Sequence, residues 1–442
     1  MTAPNGVFHP DFKPAPYWWE AYQPTAQDPV DLPARVRVAI VGGGYGGLST
    51  ALELARHGQD CVVLEAAELG FGASTRNGGA VSGGVNIGKS FSGKGLSVAP
   101  DRAAAMLADG FDAFALIERL IAEEGIACHW QKTGRFVGAW TPAHYAYQES
   151  RLALLNAAAK SDSCMVPRAR QREELASDYY YGGMVVERSA SLHPALYYKG
   201  LLDAARRRGV PVCARAAVTR ITGLNDGWLV RTVRGDVRAD EVVIATNGYT
   251  GDITPELKRR VVPIASHIIA TEELPEALAA SLIPKQRTLS DTRRVLNYYR
   301  MSPDGRRMVF GGRPRFTQVS ATVSAPALHA MMTARFPQLL DARVTHAWTG
   351  NTAFTLDAVP HMGQQDGMHY LLGCNGSGVA VMTYLGWQTA RKIAGVANRA
   401  SAFDAEEFPT HPLYTGNPWF LPAIGGWYRF RDGLDRKLAG WR

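Results

Sequence analysis

Three glycines and one glutamate have the types and the spacing of a dinucleotide-binding site. Gly42, Gly44 and Gly47 follow a G-x-G-x-x-G pattern, and Glu65 comes at the end of the next apolar segment. The first glycine of such a turn permits a tight bend, the second lets a pyrophosphate approach the backbone, and the third lets a helix pack closely on a strand. The carboxylate comes at the spacing where it accepts hydrogen bonds from an adenosine ribose.

The segments around these residues predict the elements that such a site needs. Residues 36–41 are apolar, as in a buried parallel strand, residues 48–54 have the apolar spacing of a helix, and residues 61–64 form a second strand. A purely structural glycine turn is the alternative, because a lone G-x-G-x-x-G is weak in a glycine-rich chain. The order of strand, turn, helix, strand and acid favours dinucleotide binding.

Three further segments have the composition of ligand-binding turns. A buried strand at 241–245 ends in the small and polar residues 246–248, and ligands of parallel sheets bind at the carboxyl ends of the strands. Residues 70–79 belong to a stretch of mostly small residues, which allows the backbone to pack against a flat group. The glycine-rich residues 373–378 precede a helix pattern at 379–393, whose N-terminus can face an anionic or electron-rich ring edge.

Length and composition predict a large globular protein. A chain of 442 residues exceeds what one hydrophobic core usually organises, so two domains are expected. No apolar stretch reaches the ~20 residues that span a bilayer, so no transmembrane segment is predicted. The first thirty residues contain Asp11, Glu20 and Asp28 and no apolar core, which is unlike a secretory signal. We therefore expect a cytoplasmic protein.

Charge and cysteine content exclude two classes of site. The net charge is +8, but lysines and arginines are scattered, so nucleic-acid binding is not predicted and a mild positive field around a polyphosphate cofactor explains the charge. Five cysteines are widely separated and include no C-x-x-C pair. Neither a disulfide framework nor a metal site is predicted.

The rest of the chain alternates helix and strand patterns without a linker between two halves, so the two domains must be interleaved. The aromatic residues Tyr17, Trp18 and Trp19 predict an N-terminal arm that lies in a surface groove, with docking of a partner as the alternative. Helices are predicted at 103–124, in one long segment ending at 159, and at 196–208. Strand-like pieces are predicted at 128–137, and strands at 210–213, 218–221, 228–232 and 261–271. A pair of strands joined by a turn at 302–305 is predicted at 295–312.

These residues resemble the FAD-dependent D-amino acid oxidase superfamily, the group that contains glycine oxidase and sarcosine oxidase. The matching blocks are residues 41–65, 70–79, 245–248, 348–363 and 373–378. Within the superfamily the chain is most similar to the gamma-glutamylputrescine oxidoreductase branch. That similarity rests on the Gly-Ala-Ser-x-Arg-Asn-Gly-Gly stretch, the strand end at 269–272, the Tyr-Tyr-Arg at 298–300 and the Phe-Gly-Gly-Arg at 310–313.

The resemblance implies an α/β fold with an α+β second domain. A Rossmann-like FAD-binding domain of glutathione-reductase type would be interleaved with an antiparallel-sheet substrate domain. Residues 1–95, 155–255 and 345–442 would form the FAD-binding domain, and residues 96–154 and 256–344 the substrate-binding domain.

The resemblance also implies which residues bind FAD. The three glycines of the turn would meet the pyrophosphate and Glu65 the ribose, Val218 would lie near the adenine, and residues 376–378 would lie beside the pyrimidine edge of the flavin. The binding is expected to be noncovalent, because no cysteine lies between Cys213 and Cys374, where sarcosine oxidases attach flavin. The predicted FAD-binding residues are Gly42, Gly44, Gly47, Glu65, Ser74, Thr75, Arg76, Asn77, Gly78, Val218, Thr246, Asn247, Gly248, Gly350, Gly376, Ser377, Gly378 and Val379.

The resemblance implies oxidation of a carbon–nitrogen bond by hydride transfer to flavin N5, with oxygen as the expected acceptor and another electron carrier as the alternative. His267, Tyr298 and Arg300 are the predicted catalytic residues, and each has a structural role as its alternative. Glycine oxidase grips the substrate carboxylate with an arginine where this chain has Thr352, so an elongated aliphatic amine is the expected substrate. Arg313 or Arg300 could supply that charge from another direction. A small amino acid as substrate, and a non-catalytic flavoprotein subunit, remain the alternatives.

Overall fold

The computed structural model describes residues 6–82, 99–404 and 407–440. Its strands are β1 (Phe8–Lys13), β2 (Arg35–Val41), β3 (Cys61–Leu64), β4 (Ala80–Ser82), β5 (Arg135–Gly138), β6 (Ser163–Val166), β7 (Gly183–Val186), β8 (Ser189–Ser191), β9 (Val212–Cys213), β10 (Val218–Leu224), β11 (Gly227–Thr232), β12 (Gly235–Ile244), β13 (Val261–Thr271), β14 (Thr288–Asp291), β15 (Tyr298–Met301), β16 (Met308–Gly312), β17 (Val344–Thr355), β18 (His361–Gln365) and β19 (Met368–Leu372). Its α-helices are α1 (Tyr45–Arg56), α2 (Pro100–Glu124), α3 (Pro142–Ser150), α4 (Leu152–Ala159), α5 (Pro194–Arg207), α6 (Pro255–Lys258), α7 (Glu276–Leu282), α8 (Ala321–Thr333), α9 (Gly378–Ile393) and α10 (Leu421–Leu438).

The first large sheet has eight strands and a parallel centre. Its order is β10-β11-β12-β2-β3-β9, with β19 also paired to β12 and β18 to β19. Strand β2 is parallel to β3 and β12, and β12 is parallel to β19, so their carboxyl ends meet at one edge. All residues of β3 and the last four of β2 are buried, as the continuous apolar runs predict for strands covered on both faces.

Helices α1 and α9 pack against each other over this sheet at very close range. A Cβ added at Gly386 would overlap the carbonyl oxygen of Gly46, and the Ser49 hydroxyl donates to the Thr383 carbonyl at 2.7 Å. This contact connects the first nucleotide helix to the helix that follows the late glycine-rich loop. Both glycine-rich turns are therefore held at the same edge of the sheet.

The second large sheet has nine strands in the order β1-β17-β13-β16-β15-β14-β5-β7-β6 and is mainly antiparallel. Strand β13 pairs with both β16 and β17, so its side chains alternate strictly between the two faces of the sheet. Ile264, Ser266 and Ile268 face a central cavity between the two sheets. Ile269 packs on the other face, in a hydrophobic core that includes Leu328 of α8.

The N-terminal arm lies against the second sheet and reaches the nucleotide-binding segment. Strand β1 is parallel to β17, with Phe8 opposite Val344. The arm then buries Trp18 completely, and the indole N–H of Trp18 donates to the Asn77 carbonyl at 2.8 Å. The aromatic residues of the arm thus fill a groove of the same chain.

The structure corrects one predicted element. The single helix ending at 159 is two helices, α3 and α4, separated at Arg151. The strand-like pieces predicted at 128–137 are an isolated bridge at Gln131 and the strand β5. The positive φ angles of His129 and Gly134 interrupt extended backbone before β5. Apolar periodicity does not register such local backbone angles.

Sheet membership differs from the predicted domain boundaries at four strands. β1, β6, β7 and β17 belong to the nine-stranded sheet, although their residues fall in the ranges predicted for the FAD-binding domain. Pairing between strands distant in sequence is not visible in local periodicity. The boundaries remain a prediction, the pairing favours moving these strands to the substrate-binding domain, and the boundary between residues 95 and 96 lies outside the described residues. None of the helices within the described ranges is long and apolar enough to cross a bilayer.

Candidate active site

A cavity of about 770 Å³ lies between the two sheets. Its nucleotide half is lined by residues of the ranges 41–46, 64–78, 245–249 and 374–379, with Val218. Its substrate half is lined from the nine-stranded sheet, from α3 and from α10, and includes Arg135, Ile264, Ser266, Leu296, Tyr298, Arg313, Phe316, Phe354 and Tyr428. Gly350, Asn351 and Thr352 of β17 lie along the cavity wall as well. The cavity is of the size and type of a site for a cofactor and a small substrate.

The glycine turn has the geometry that its spacing predicts. Gly42 has a φ of +108°, and a Cβ added there would lie 2.9 Å from the Ala245 carbonyl oxygen. Gly44 caps α1, and its Cβ would lie 3.0 Å from the Ser74 hydroxyl. Gly47 does not line the cavity. A Cβ added there would overlap the Gly42 carbonyl oxygen. Gly47 therefore lets α1 pack on β2, while Gly42 permits the close turn beside Ala245 and Gly44 leaves the backbone open to a pyrophosphate.

Glu65 lies at the end of β3 and lines the nucleotide half. Its carboxylate accepts hydrogen bonds from the N–H groups of Gly43 at 2.8 Å and Ala67 at 3.0 Å. Burial raises the pKa of this carboxyl group above its usual value. Val218 also lines the cavity. A carboxylate and an apolar side chain in this half suit the ribose and the adenine of a dinucleotide.

The segment 74–78 is held in place by hydrogen bonds to its own backbone and to α1. The Ser74 hydroxyl accepts from the Tyr45 N–H at 3.0 Å, and the Asn77 amide donates to the Ser74 carbonyl at 3.0 Å. Arg76 lines the cavity with its guanidinium between the rings of Trp19, 4.5 Å away, and Phe71, 4.6 Å away. The backbone and side chains of this segment are thereby fixed along the cavity wall.

Thr75 is turned away from the cavity. Its hydroxyl donates to the Gly70 carbonyl at 2.5 Å and accepts from the indole N–H of Trp19 at 2.9 Å. Thr75 therefore connects the segment to the N-terminal arm, and it supports the neighbours that line the cavity.

The carboxyl end of β12 and the late glycine-rich loop meet at the same edge. The Asn247 side-chain oxygen accepts from the Gly373 N–H at 3.0 Å, and both Thr246 and Asn247 line the cavity. Gly248 does not line the cavity, and a Cβ added there would lie 3.0 Å from the Asn351 carbonyl oxygen. The cavity is also lined here by Gly376, Ser377, Gly378 and Val379, with Gly378 as the first residue of α9.

All predicted FAD-binding residues line the cavity except Gly47, Thr75 and Gly248, and these three support their neighbours. The turn open to a pyrophosphate, the carboxylate of Glu65 and the helix N-terminus at Gly378 fit FAD in an extended conformation. No group of three metal-ligating side chains is present within the described ranges.

The structure brings only one of the three predicted catalytic residues to the cavity. Tyr298 lines the substrate half, and its hydroxyl lies 2.8 Å from that of Ser266. His267 is fully buried and, by strand alternation, faces away from the cavity, and burial lowers its pKa. Arg300 is also outside the central cavity and donates to the Leu192 and Met301 carbonyls, both at 2.9 Å. The alternation of side chains along a strand could be predicted from the sequence, but which of the two faces meets the cavity could not.

Sequence reasoning missed two residues that the structure places at the site. Arg135 lines the substrate half from β5, and Tyr428 reaches it from α10. Neither belongs to a motif, and helix α10 lies far along the chain from the other lining elements.

The substrate half is electropositive. Among the described residues that line the cavity, Glu65 of the nucleotide half is the only acid, whereas Arg313 of the substrate half is 7% exposed and its Nε has no hydrogen-bond partner. Arg293 and Arg294 also line this half, but they pair with Asp291 at 3.1 Å and with Asp435 at 2.6 Å respectively. Burial lowers the pKa of Arg313 and lowers that of Arg135 to about 10, so both remain cationic at neutral pH.

Comparison with known proteins agrees with this geometry. A profile described as FAD dependent oxidoreductase, of the DAO family, matches residues 37–392. Gamma-glutamylputrescine oxidoreductase of Escherichia coli (strain K12) is 34% identical over 407 residues, which cover 90% of this chain and 93% of that protein. The probable oxidoreductase OrdL of Haemophilus influenzae is 30% identical and covers 84% of this chain and 86% of its own length.

A solved structure confirms the predicted fold. Glycine oxidase from Geobacillus kaustophilus superposes with a TM-score of 0.70 at 20% identity, over 86% of this chain and 99% of that chain. The predictions of an FAD-dependent enzyme and of an α/β fold of this type are confirmed, and noncovalent binding of FAD is the usual mode in the family. The chain belongs to the DAO family of FAD-dependent oxidoreductases.

Proposed function

We propose that the protein oxidises the carbon–nitrogen bond of an elongated aliphatic amine, with gamma-glutamylputrescine as the model substrate. Bound FAD supplies the chemistry by accepting a hydride at N5 from the carbon beside the amine nitrogen. The observation that carries the proposal is the apolar wall on one side of the substrate half of the cavity. The relative that is 34% identical acts, by its name, on gamma-glutamylputrescine, which supports the same substrate class.

The apolar wall suits a chain of methylene groups. It is built by side chains from β13, β17 and α10 and from the loops between them, namely Ile264, Leu296, Phe316, Phe354 and Tyr428. Thr352 lies on the wall where glycine oxidase has its carboxylate-binding arginine. Burial of methylene groups against such a wall supplies about 0.8 kcal/mol each, which favours a longer substrate over a short one.

The charge of the substrate half suits delivery of a neutral amine. Hydride transfer requires the unprotonated amine, and unpaired positive charge near the amine lowers its pKa by disfavouring the ammonium form. Arg313 supplies that charge, because its Nε has no hydrogen-bond partner and no acid lines the described part of this half. The same field disfavours a dication such as putrescine and favours an amine that carries an anionic group.

The hydroxyl pair of Tyr298 and Ser266 is the proposed contact for the amine nitrogen. Burial raises the pKa of the Tyr298 phenol, so it stays protonated at neutral pH and can donate or accept a hydrogen bond. Substitution of Tyr298 by Phe should therefore slow reduction more than it weakens FAD binding.

One observation favours a second candidate, oxidation of a small amino acid. A Cβ added at Gly376 would lie 4.0 Å from Nη2 of Arg313, so this guanidinium is close to the loop predicted to border the flavin. An arginine there can bind a carboxylate beside the reacting carbon. The alternative of a non-catalytic flavoprotein subunit has no comparable observation in its favour.

The test is an anaerobic visible spectrum of the purified holoprotein during titration with gamma-glutamylputrescine, putrescine, sarcosine, glycine and D-proline. Bleaching of the flavin band by the long amine alone would support the proposed function. Bleaching by glycine, sarcosine or D-proline would support the second candidate, and no bleaching by any compound would contradict both.

The electron acceptor is tested separately. We propose oxygen, which predicts rapid reoxidation in air with one peroxide formed for each amine oxidised. Slow reoxidation in air and fast reoxidation by a soluble quinone would instead identify a dehydrogenase.

A further inference from the structure

A second, small cavity lies next to the substrate half and contains two arginines. This inner cavity is bounded mainly by Gly78, Ala80, Arg135, Tyr298, Arg300 and Val309, and its volume is about 30 Å³. Gly78, Ala80, Arg135 and Tyr298 also line the central cavity. A space of this size holds a water molecule or a small ion.

The two arginines of the inner cavity are buried without a carboxylate partner. Arg135 is 9% exposed and donates to the Ser290 hydroxyl at 2.5 Å, and Arg300 is 4% exposed and donates to main-chain carbonyls. Nη2 of Arg300 has no hydrogen-bond partner, and within the described residues neither arginine forms an ion pair. Burial lowers the pKa of each to about 10, so both keep their charge at neutral pH.

The surrounding groups do not neutralise this charge. Asp291 is the acid whose field acts on Arg135, but its carboxylate already pairs with Arg335 at 3.0 Å and Arg293 at 3.1 Å. His193 near Arg300 is neutral, since burial lowers its pKa to about 4. The sequence from residue 70 to residue 100 contains no Asp or Glu, so this stretch of the chain supplies no counter-charge either.

Two buried cations beside such a space favour a compensating anion, because an unpaired buried charge is destabilising. We propose that the inner cavity binds a small monovalent anion of the halide class, held between the guanidinium groups of Arg135 and Arg300. Because Arg135 and Tyr298 are shared with the central cavity, the anion also fixes one wall of the substrate site. Arg300 is in this proposal an anion-binding residue.

The direct test is a crystal of the holoprotein soaked in sodium bromide and measured at the bromine absorption edge. We expect an anomalous peak in the inner cavity within hydrogen-bonding distance of both guanidinium groups. A water molecule in that position without anomalous signal, or a bromide peak only beside Arg313 in the central cavity, would overturn the proposal.

The solution test uses thermal unfolding of the holoprotein in chloride or gluconate at equal ionic strength. We expect the unfolding midpoint to rise with chloride concentration to a plateau, and to stay flat in gluconate, which is too large for the cavity. Arg300→Met should lose the saturable rise, whereas Arg170→Met, which removes an exposed arginine paired with Glu173, should keep it.

Persistence of the full chloride effect in Arg300→Met would contradict the proposal. If Arg300→Met does not fold, the bromide peak in the unsubstituted protein still decides. No amine takes part in either measurement, so the result is independent of the proposed function.

Discussion

Arg313 is the residue that best separates the two candidate substrates. Its guanidinium is nine-tenths buried, its Nε has no partner, and its Nη2 lies near the loop at Gly376. If a substrate carboxylate binds there, Arg313→Met removes a charge-assisted hydrogen bond of about 1.5–3 kcal/mol. The dissociation constant for that substrate, from anaerobic titration, should rise roughly 10- to 100-fold.

Arg313→Lys is the matched control, because it keeps the charge and loses the fork of donors. Arg313→Lys should recover part of the affinity for a substrate that carries a carboxylate. Its affinity for the analogue in which an amide replaces that carboxylate should equal that of the unsubstituted protein. Equal losses for the acid and the amide would show that Arg313 does not bind the carboxylate.

Glu65 makes FAD binding sensitive to pH. Burial raises its pKa, so on acidification it becomes protonated at a higher pH than an exposed glutamate. If Glu65 binds the ribose as we propose, the charged carboxylate is the form that accepts its hydrogen bonds, so FAD affinity should fall as the pH drops through this raised pKa. Titration of the apoprotein with FAD, followed by flavin fluorescence, measures the effect.

Glu65→Gln should weaken FAD binding at neutral pH by roughly 10- to 100-fold, the loss expected for hydrogen bonds to a charged group. Its FAD affinity should no longer change over the acidic range. Glu276→Gln, at an exposed position, should behave like the unsubstituted protein. A Glu65→Gln variant that retained the acid dependence would assign the titration to another group.

Most of the residues predicted to bind FAD line the cavity, whereas only Tyr298 of the three predicted catalytic residues does, and this difference has a physical reason. A phosphate-binding turn needs glycines at fixed spacing, so Gly42 and Gly44 could be assigned from local pattern alone. The substrate wall is made by strand alternation whose phase depends on long-range pairing, so the sequence did not show which face of β13 carries His267. Arg135 and Tyr428 reach the site from elements with no sequence signal of their own.

At the scale of elements, the contact between α1 and β2 depends on one position without a side chain. A Cβ at Gly47 would overlap the Gly42 carbonyl oxygen, so Gly47→Ala must push the helix off the strand. We expect a loss of about 1–3 kcal/mol in unfolding free energy, as for other overpacked sites, together with loss of FAD binding. Denaturant unfolding and flavin content of the purified protein measure the two effects.

Gly426→Ala in α10 is the control for this substitution, since no atom lies within 4 Å of its added Cβ. It should be neutral or stabilising by up to about 1 kcal/mol, because alanine is the better helix former. Normal FAD content in Gly47→Ala would contradict the assigned role of the third glycine.

The N-terminal arm is a second element on which the FAD site depends. Trp18 is fully buried and donates a hydrogen bond to the Asn77 carbonyl. Trp18→Ala therefore creates a cavity and removes this hydrogen bond to the segment predicted to bind FAD. We expect a loss of about 3–5 kcal/mol in unfolding free energy and weaker FAD binding. Trp419→Ala, at a residue 68% exposed, should change stability by less than about 0.5 kcal/mol.

At the scale of the whole molecule, FAD should stabilise the packing of the two sheets against unfolding. The cavity is lined from both sheets, so the cofactor contacts both when it binds. A ligand that binds only the folded state stabilises it by about 2.7 kcal/mol at a concentration 100 times its dissociation constant. The thermal midpoint of the apoprotein should therefore rise continuously with added FAD, and the rise should be smaller in Glu65→Gln.

A midpoint independent of FAD would mean that FAD does not bind the folded protein in preference to the unfolded one, which would contradict the assignment of the cavity as the FAD site. Proteolysis of the apoprotein under native conditions gives a second measurement. Excess FAD should slow the cleavage of the unsubstituted protein more than that of Glu65→Gln.

The parallel pairing of β1 with β17 also has a consequence for biosynthesis. Phe8 precedes its partner Val344 by 336 residues, so β17 leaves the ribosome long after β1. Until β17 has been made, Trp18 lacks its ring contact with Trp348, and non-local pairing of this kind forms slowly. The glycine-rich loop at 376–378 follows β17 in the chain, so docking of the arm and completion of the cofactor cavity both wait for the same late stage of synthesis.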